Sequence, residues 1–450
     1  MDVVETNGTG GPIAVGSRAN GRCGPIRLLM YSHDGFGLGH YRRLLKLAGF
    51  LRQELSDVSI LLITGSSMAH SFRIPHGVDY VKLPCVSKES NEVYTAKHLP
   101  LSFDTIKSIR ERIVLETTLA YQPDVFLIDK HPLGMKGELQ PTLRALKAHQ
   151  SKTKVVLGLR DILDDPYEMI PYFRTPAIAD ALEKIHDEIW VYGDQSFFDP
   201  IKEYQLADSI ARKVRFCGYV SCDPPSLAPA EIRRELGIGE GKFVLVTAGA
   251  GGDGFPILDA YLKALDFLPK ELDACSLLVS GPDMPERERE ALLRRYTGAA
   301  PFSRRRTEFL DFSPRMIEHI AAADVVVCMA GYNTLLEVVS LRKEAVVIPR
   351  ISPRREQLIR AAAFEKRGLI RMIHPDFLSP RILAESIVDA LQTPTLPADQ
   401  RLNASGIDLN GLEGVKTHLL RLLHSGNGTR NGSPHPGAAI GSVKMALAKR

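Results

Sequence analysis

Two glycine-rich turns each follow an apolar run and precede a stretch with helical periodicity. The first spans residues 32–40 and reads Ser-His-Asp-Gly-Phe-Gly-Leu-Gly-His, and the second spans 247–254 and reads Thr-Ala-Gly-Ala-Gly-Gly-Asp-Gly. Glycine allows backbone angles and close approaches that a Cβ atom would block. The helix N-terminus after such a turn offers unpaired N–H groups and positive dipole character to an anion. The two turns therefore predict anion binding at the start of each half of the chain.

His40 stands between the first turn and the following helical stretch. A histidine titrates near neutral pH, and a helix N-terminus lowers its pKa and keeps the ring neutral, which suits a general base. The same local sequence also fits a histidine that caps or packs at a helix start. The residues alone leave both interpretations open.

The segment 328–337 reads Cys-Met-Ala-Gly-Tyr-Asn-Thr-Leu-Leu-Glu and predicts a strand, a glycine turn and a helix. Thr334 is the predicted N-cap of that helix. Glu337 follows three residues later, which fits a capping box and gives this carboxylate a structural role. A ligand-binding role for Glu337 is the alternative.

Three places in the sequence resemble motifs of the GT-B glycosyltransferases. The closest group is the MurG-like branch, which includes the bacterial enzyme that makes lipid II from lipid I. The layout of residues 25–424 follows this branch, but the residue-specific likeness is confined to these motifs: the turn ending in His40, the Gly249–Gly254 turn, and Gly331-x-x-Thr334-x-x-Glu337 followed by Pro349 and Glu356-Gln357.

The resemblance implies a UDP-sugar donor held mainly by the C-terminal half. It assigns the ribose hydroxyls to Glu337, the donor sugar to Gln357 and Glu356, the uracil to the backbone at Leu310, and the diphosphate to the second turn and the Thr334 helix start. His40 would then deprotonate the acceptor hydroxyl. The full implied donor set is Gly249, Gly251, Gly252, Leu310, Gly331, Thr334, Glu337, Glu356 and Gln357.

Acceptor-binding residues are expected in the N-terminal half. Gly37 and Gly39 lie in the first turn, and Asp129 and Asp161 each follow a predicted strand. Ligands of parallel α/β sheets gather at the carboxyl ends of strands. Either carboxylate could bind an acceptor hydroxyl or orient His40, and either could instead only cap the next turn.

Strand-like and helix-like stretches alternate through both halves, which predicts an α/β protein. We expect two Rossmann-like domains with doubly wound parallel sheets, in the GT-B arrangement, with a cleft between them. The predicted organisation is a flexible leader at 1–24, an acceptor domain at 25–221, a donor domain at 230–395, a C-terminal helix region at 396–424 and a disordered basic tail at 425–450.

The composition narrows the class of protein further. The 450 residues carry a formal net charge of +4, and residues 425–450 hold four basic residues and no acid, so the body is neutral and nucleic acid is not an expected partner. The six cysteines lack zinc-type spacing, so no metal site and no cofactor are expected. The cytoplasm is the expected compartment. Peripheral contact with the inner membrane face is left open by the basic amphipathic stretch 41–55 and the tail.

The predicted function is metal-independent transfer of a sugar from a UDP-sugar to a hydroxyl acceptor, with inversion by resemblance to the family. N-acetylglucosamine is one candidate sugar. Two alternatives remain: a UDP-sugar epimerase on the same fold, and a nucleotide-sugar-binding protein without catalysis. An epimerase needs further acid and base carboxylates, which the sequence does not identify.

Overall fold

The computed structural model describes residues 24–33, 39–90, 93–148, 152–298, 306–392 and 397–424. The predicted leader up to residue 23, the tail at 425–450 and Gly37 lie outside these residues. Within them the chain forms two parallel sheets and one small antiparallel hairpin.

The first domain contains a seven-stranded parallel sheet in the order β3-β2-β1-β6-β7-β8-β9, and β4 pairs with β5 in the hairpin. Its strands are β1 (Ile26–Ser32), β2 (Val58–Thr64), β3 (Val78–Lys82), β4 (Val86–Ser90), β5 (Val93–Ala96), β6 (Val125–Asp129), β7 (Lys154–Arg160), β8 (Glu188–Tyr192) and β9 (Val214–Phe216). Its helices are α1 (Gly39–Glu54), α2 (Phe103–Tyr121), α3 (Gln140–Ala148), α4 (Pro166–Arg174), α5 (Pro176–Lys184), α6 (Pro200–Glu203) and α7 (Asp208–Ala211).

The second domain contains a six-stranded parallel sheet in the order β12-β11-β10-β13-β14-β15. Its strands are β10 (Lys242–Thr247), β11 (Ala274–Val279), β12 (Thr307–Leu310), β13 (Val325–Cys328), β14 (Glu344–Val347) and β15 (Arg371–Met372). The helices that follow β9 are α8 (Pro229–Glu235), α9 (Phe255–Ala264), α10 (Glu286–Gly298), α11 (Met316–Ala322), α12 (Tyr332–Ser340), α13 (Glu356–Lys366), α14 (Pro380–Gln392), α15 (Ala398–Ser405) and α16 (Gly411–His424).

Each sheet begins in its middle, at β1 or β10, and the strand order reverses there. Apolar strand residues such as Leu29 and Val246 are fully buried because helices cover both faces of both sheets. The predicted fold, two Rossmann-like doubly wound domains, is confirmed. Doubly wound sheets bind ligands at the point where the strand order reverses. Each domain therefore has one candidate ligand-binding edge, which faces the other domain.

The final helix α16 returns to the first domain. Lys416 pairs with Glu54 of α1 at 2.9 Å, and Arg421 pairs with Glu188 of β8 at 2.7 Å. These two ion pairs join the final helix to the first domain. The apolar face of α1, including Leu44 and Leu47, is buried within the protein, so α1 does not offer that face to a membrane. None of the helices in the described parts of the chain is both long and apolar enough to cross a bilayer.

Two local features were not predicted from the sequence. The Asp165 side chain accepts from the Tyr167 N–H and caps α4, with Pro166 in its first turn. The β4–β5 hairpin was not predicted, since its strands are short and partly polar.

Candidate active site in the cleft between the domains

A cavity of about 280 Å³ lies between the two domains. The first domain contributes the start of α1 and the end of β7. The second contributes the turn after β10, the start of α12 and the segment before α13. The walls of this cavity include Gly39, His40, Arg42, Arg43, Arg160, Gly249, Asp253, Gly331, Thr334, Arg350 and Gln357.

His40, Asp129 and Arg43 form a hydrogen-bonded group on the first-domain wall. The His40 Nδ1 atom contacts Asp129 Oδ2. Arg43 Nη2 lies 2.7 Å and 2.8 Å from the two oxygens of Asp129. Asp129 is fully buried at the carboxyl end of β6, and His40 is at the start of α1. The structure thus brings together two residues that the sequence placed 89 positions apart.

Burial and the neighbouring charges fix the protonation states in this group. Burial lowers the pKa of His40 to about 3, against the raising effect of Asp129. Burial alone would raise the pKa of Asp129, but Arg43 and His40 hold it well below its usual range. At neutral pH the ring is therefore neutral and the carboxylate charged. A carboxylate beside Nδ1 holds the proton on that nitrogen and leaves Nε2 as the basic atom.

The turn after β10 needs its glycines for two different reasons. Gly249 has φ +67° and lines the cavity, with no atom within 4 Å of a Cβ built on it. Gly251 has φ +94°, and a Cβ there would lie 2.2 Å from the Ser280 carbonyl oxygen. Gly251 and Gly252 do not line the cavity. Of the three glycines that were predicted to bind the donor from this turn, Gly249 is the one on the cavity wall.

The N-cap of helix α12 lies three residues earlier than predicted. Gly331 is its N-cap, so Thr334 is the third residue of the first turn and the capping-box explanation of Glu337 is wrong. The unpaired N–H groups of this first turn are at the cavity wall, as are Gly331 and Thr334. A Cβ on Gly331 would meet nothing within 4 Å, which leaves the helix start open to the cavity.

Glu337 points to a second, adjoining cavity of about 430 Å³. Its Oε1 atom accepts from Arg42 Nη2 of α1 at 2.6 Å, so this ion pair crosses the cleft. Its Oε2 atom is buried and has no hydrogen-bond partner in the described part of the chain. Arg42 lines both cavities, so the two cavities adjoin each other at this side chain.

Arg350 connects three polar residues of the second domain. Its side chain contacts Asp253 at 2.9 Å and Glu356 at 2.5 Å, and its backbone N–H donates to Gln357 Oε1 at 3.1 Å. Gln357 is on the cavity wall, whereas Glu356 is 2 % exposed and lies behind it. Leu310 is also off the wall of both cavities, and its carbonyl accepts from the Ser280 N–H.

Asp161 is buried in a contact between the domains rather than on the cavity wall. The Asp161 carboxylate accepts hydrogen bonds from Nε and Nη2 of Arg360 in α13. Arg360 also donates to the carbonyls of Ala330 and Ile162. Tyr219 donates to the same carboxylate at 3.2 Å. The carboxylate is therefore occupied within the protein, and Asp129 is the carboxylate that remains next to His40.

Sequence reasoning gave too little weight to the arginines of the site. Charged residues at the start of a helix usually face solvent, yet Arg43 is 3 % exposed. The usable signal was spacing, since Arg43 follows His40 by three residues and shares its helix face. No motif in the sequence singled out Arg160. In the described residues, no group of three or more histidine, cysteine or acidic side chains could hold a metal ion.

Comparison with known proteins finds a family match in the second domain. Residues 244–409 match the glycosyltransferase family 28 C-terminal domain. An uncharacterised glycosyltransferase of Methanopyrus kandleri is 29 % identical over 170 residues, 37 % of this chain and 44 % of that protein. A UDP-N-acetylglucosamine–N-acetylmuramyl-(pentapeptide) pyrophosphoryl-undecaprenol N-acetylglucosamine transferase of Clostridium kluyveri is 33 % identical over 82 residues, 18 % and 23 % of the two chains. The match thus spans less than half of each of these relatives.

Solved structures agree with the fold over nearly the whole chain. The structure of Acinetobacter baumannii MurG superposes with a TM-score of 0.55 at 15 % identity, covering 89 % of this chain and 100 % of that one. A UDP-N-acetylglucosamine 2-epimerase described as putative, from Listeria monocytogenes, reaches 0.58 at 13 % identity, with 90 % and 98 % covered. Residues 244–409 thus resemble the family 28 C-terminal domain, and the chain as a whole shares the two-domain fold of these structures.

Proposed function

We propose that the protein transfers a sugar from a UDP-sugar to a hydroxyl group of an acceptor, with inversion at the anomeric carbon. The observation that carries this proposal is the pairing across one cavity. The His40–Asp129 group of the first domain faces the glycine turn and the α12 N-terminus of the second. One wall suits a hydroxyl that must lose a proton, and the other suits a diphosphate that must leave.

The second-domain wall supports the donor half of the proposal. The α12 N-terminus offers N–H groups to phosphate oxygens, and at Gly249 a phosphate can approach the backbone without a side chain in the way. Glu337 has a free carboxylate oxygen suited to accept from a ribose hydroxyl. The family 28 relatives include enzymes named for UDP-N-acetylglucosamine, which makes this sugar the first donor to test.

The first-domain wall supports the acceptor half. Asp129 accepts from Nδ1–H, so Nε2 of His40 takes the proton of the acceptor hydroxyl as its oxygen attacks the anomeric carbon. The attack comes from the face opposite the leaving UDP, because base and diphosphate site are on opposite walls. Inversion follows from that single displacement. The charge that develops on UDP is stabilised by the α12 helix start on the second-domain wall.

Calorimetric titration with UDP tests the donor half first. The wild type should bind UDP, and Glu337→Ala should weaken binding by roughly 10-fold or more, the usual loss for a hydrogen bond to a charged group. Glu290→Ala is the matched control, because Glu290 is exposed on α10 and pairs only with Arg294 among the described residues. Absence of UDP binding by the wild type would refute the donor assignment.

Product analysis then separates transfer from its alternatives. Incubation with UDP-N-acetylglucosamine and no added acceptor should give slow release of UDP, with water as the acceptor. Conversion to an epimeric UDP-sugar would make the protein an epimerase on this fold. Tight UDP-sugar binding without any turnover across hydroxyl acceptors would make it a binding protein.

A further inference from the structure

Arg160 is the exception among the arginines that line the cavity. The other three are each held by an acidic side chain: Arg42 by Glu337, Arg43 by Asp129, and Arg350 by Asp253 and Glu356. The Arg160 side chain has no ion pair within 4.0 Å and no hydrogen bond to any residue that the structure describes. It stands on the wall as the last residue of β7.

Part of the Arg160 guanidinium is left unsatisfied in the unliganded protein. Its Nε atom is buried without a partner, whereas the residue as a whole is half-buried on the cavity wall. Burial, with the nearby Arg360 charge, lowers the pKa of Arg160 to about 10. The group thus stays charged at neutral pH, while Glu356 compensates it only from a distance beyond an ion pair. A ligand oxyanion that pairs with Arg160 would supply the missing partner and add a charge-assisted hydrogen bond.

The chemistry of the missing partner follows from the guanidinium. Its planar fork matches phosphate and carboxylate oxygens and binds them through two parallel hydrogen bonds. A neutral sugar hydroxyl would leave the charge uncompensated. We propose that Arg160 binds an oxyanion of a substrate in the cleft, reaching it from the acceptor-domain wall. The identity of the substrates in this inference rests on the proposed function. The presence of an anion site does not.

Two sources of the oxyanion fit this position. One is the β-phosphate of the donor, which Arg160 would reach from the wall opposite α12. The other is a phosphate or carboxylate on the acceptor, next to the hydroxyl that His40 deprotonates. Arg160 lies close enough to Arg43 for their charges to interact, which puts it on the same wall as His40.

The test compares Arg160→Gln with Arg174→Gln by calorimetry. Arg174 is an exposed arginine of α4 that contacts Gln205, so the control removes the same charge from the same domain. UDP and UMP are titrated into each protein, and pyrophosphate is titrated into protein saturated with UDP. If the donor supplies the anion, R160Q should lose roughly 10- to 100-fold in UDP affinity and little in UMP affinity. If the acceptor supplies it, R160Q should keep UDP affinity and lose pyrophosphate binding.

Unchanged affinities for UDP and pyrophosphate in R160Q would overturn the proposal. Arg160→Lys is the second variant if R160Q does not fold; it keeps the charge and loses the fork, and an intermediate loss is expected. A wild type that binds pyrophosphate through Arg160 but does not bind UDP would refute the donor assignment alone. The two proposals therefore fail separately.

Discussion

Replacement of Arg360 by methionine should destabilise the contact between the two domains. Arg360 is fully buried, and its guanidinium donates to Asp161 and to the carbonyls of Ala330 and Ile162. Methionine fills part of the volume but leaves the Asp161 carboxylate buried with only Tyr219 and a backbone N–H as donors. Removing one partner of a buried pair costs about 3–5 kcal/mol, and we expect a loss of that size in the free energy of unfolding.

Urea unfolding followed by two signals measures this effect. Trp190 is the only tryptophan of the chain and is buried in β8, so its fluorescence reports the first domain. Far-ultraviolet circular dichroism reports both domains together. In the wild type the two transitions should coincide, because Arg360 of α13 ties the second domain to Asp161 of the first. In Arg360→Met they should separate and shift to lower urea.

A second substitution distinguishes an orphaned charge from lost packing. Asp161→Asn in the Arg360→Met background removes the uncompensated carboxylate and should restore most of the lost stability. If Arg360→Met costs less than about 1 kcal/mol, the pair is not what holds the domains together. If the double variant is no more stable than the single one, the cost arises from packing and the charge argument is refuted.

Three further predictions concern the cavity. His40→Ala should lower kcat by roughly 10²- to 10⁴-fold and leave UDP affinity within about twofold, measured by UDP release and calorimetry, and an unchanged kcat would remove His40 from the mechanism. Burial lowers the pKa of His40 to about 3, and the base works only when the ring is neutral, above that pKa. We therefore expect kcat to stay constant as the pH is lowered through 6.5. A loss of kcat centred near pH 6.5 would contradict the burial argument. Gly251→Ala should lower the melting temperature because its Cβ meets Ser280, whereas Gly331→Ala should melt like the wild type; equal melting of the two variants would refute the steric argument.

The alternation of strands and helices could be predicted because it depends on local periodicity. Central strands of both parallel sheets, such as β6 and β13, are apolar runs, and burial on both faces makes such runs easy to recognise. The start of α12 was misplaced because a threonine is a common N-cap, and only the backbone shows that Gly331 fills that position. Local preference was correct about the helix but gave the wrong first residue.

The partners of the site residues could not be predicted from the sequence. Glu337 meets Arg42 across 295 positions, and Asp161 meets Arg360 across 199. No local pattern encodes such pairs, because they depend on how two finished domains face each other. The sequence placed Asp129 and Asp161 at equivalent strand ends, and only the structure shows that one carboxylate contacts His40 while the other is enclosed by Arg360.

The return of α16 to the first domain has a consequence for synthesis on the ribosome. Val220 and Asn410 pair as a bridge, so the first domain is completed by residues from both sides of the second. At about 5–20 residues per second, the intervening stretch of roughly 190 residues takes on the order of 10–40 s to make. During that time the face of α1 that α16 covers has no partner from its own chain. All strands of the second domain are synthesised before α16, so this domain can form its sheet before the first domain is complete. The domain that is synthesised first is therefore the one that is completed last.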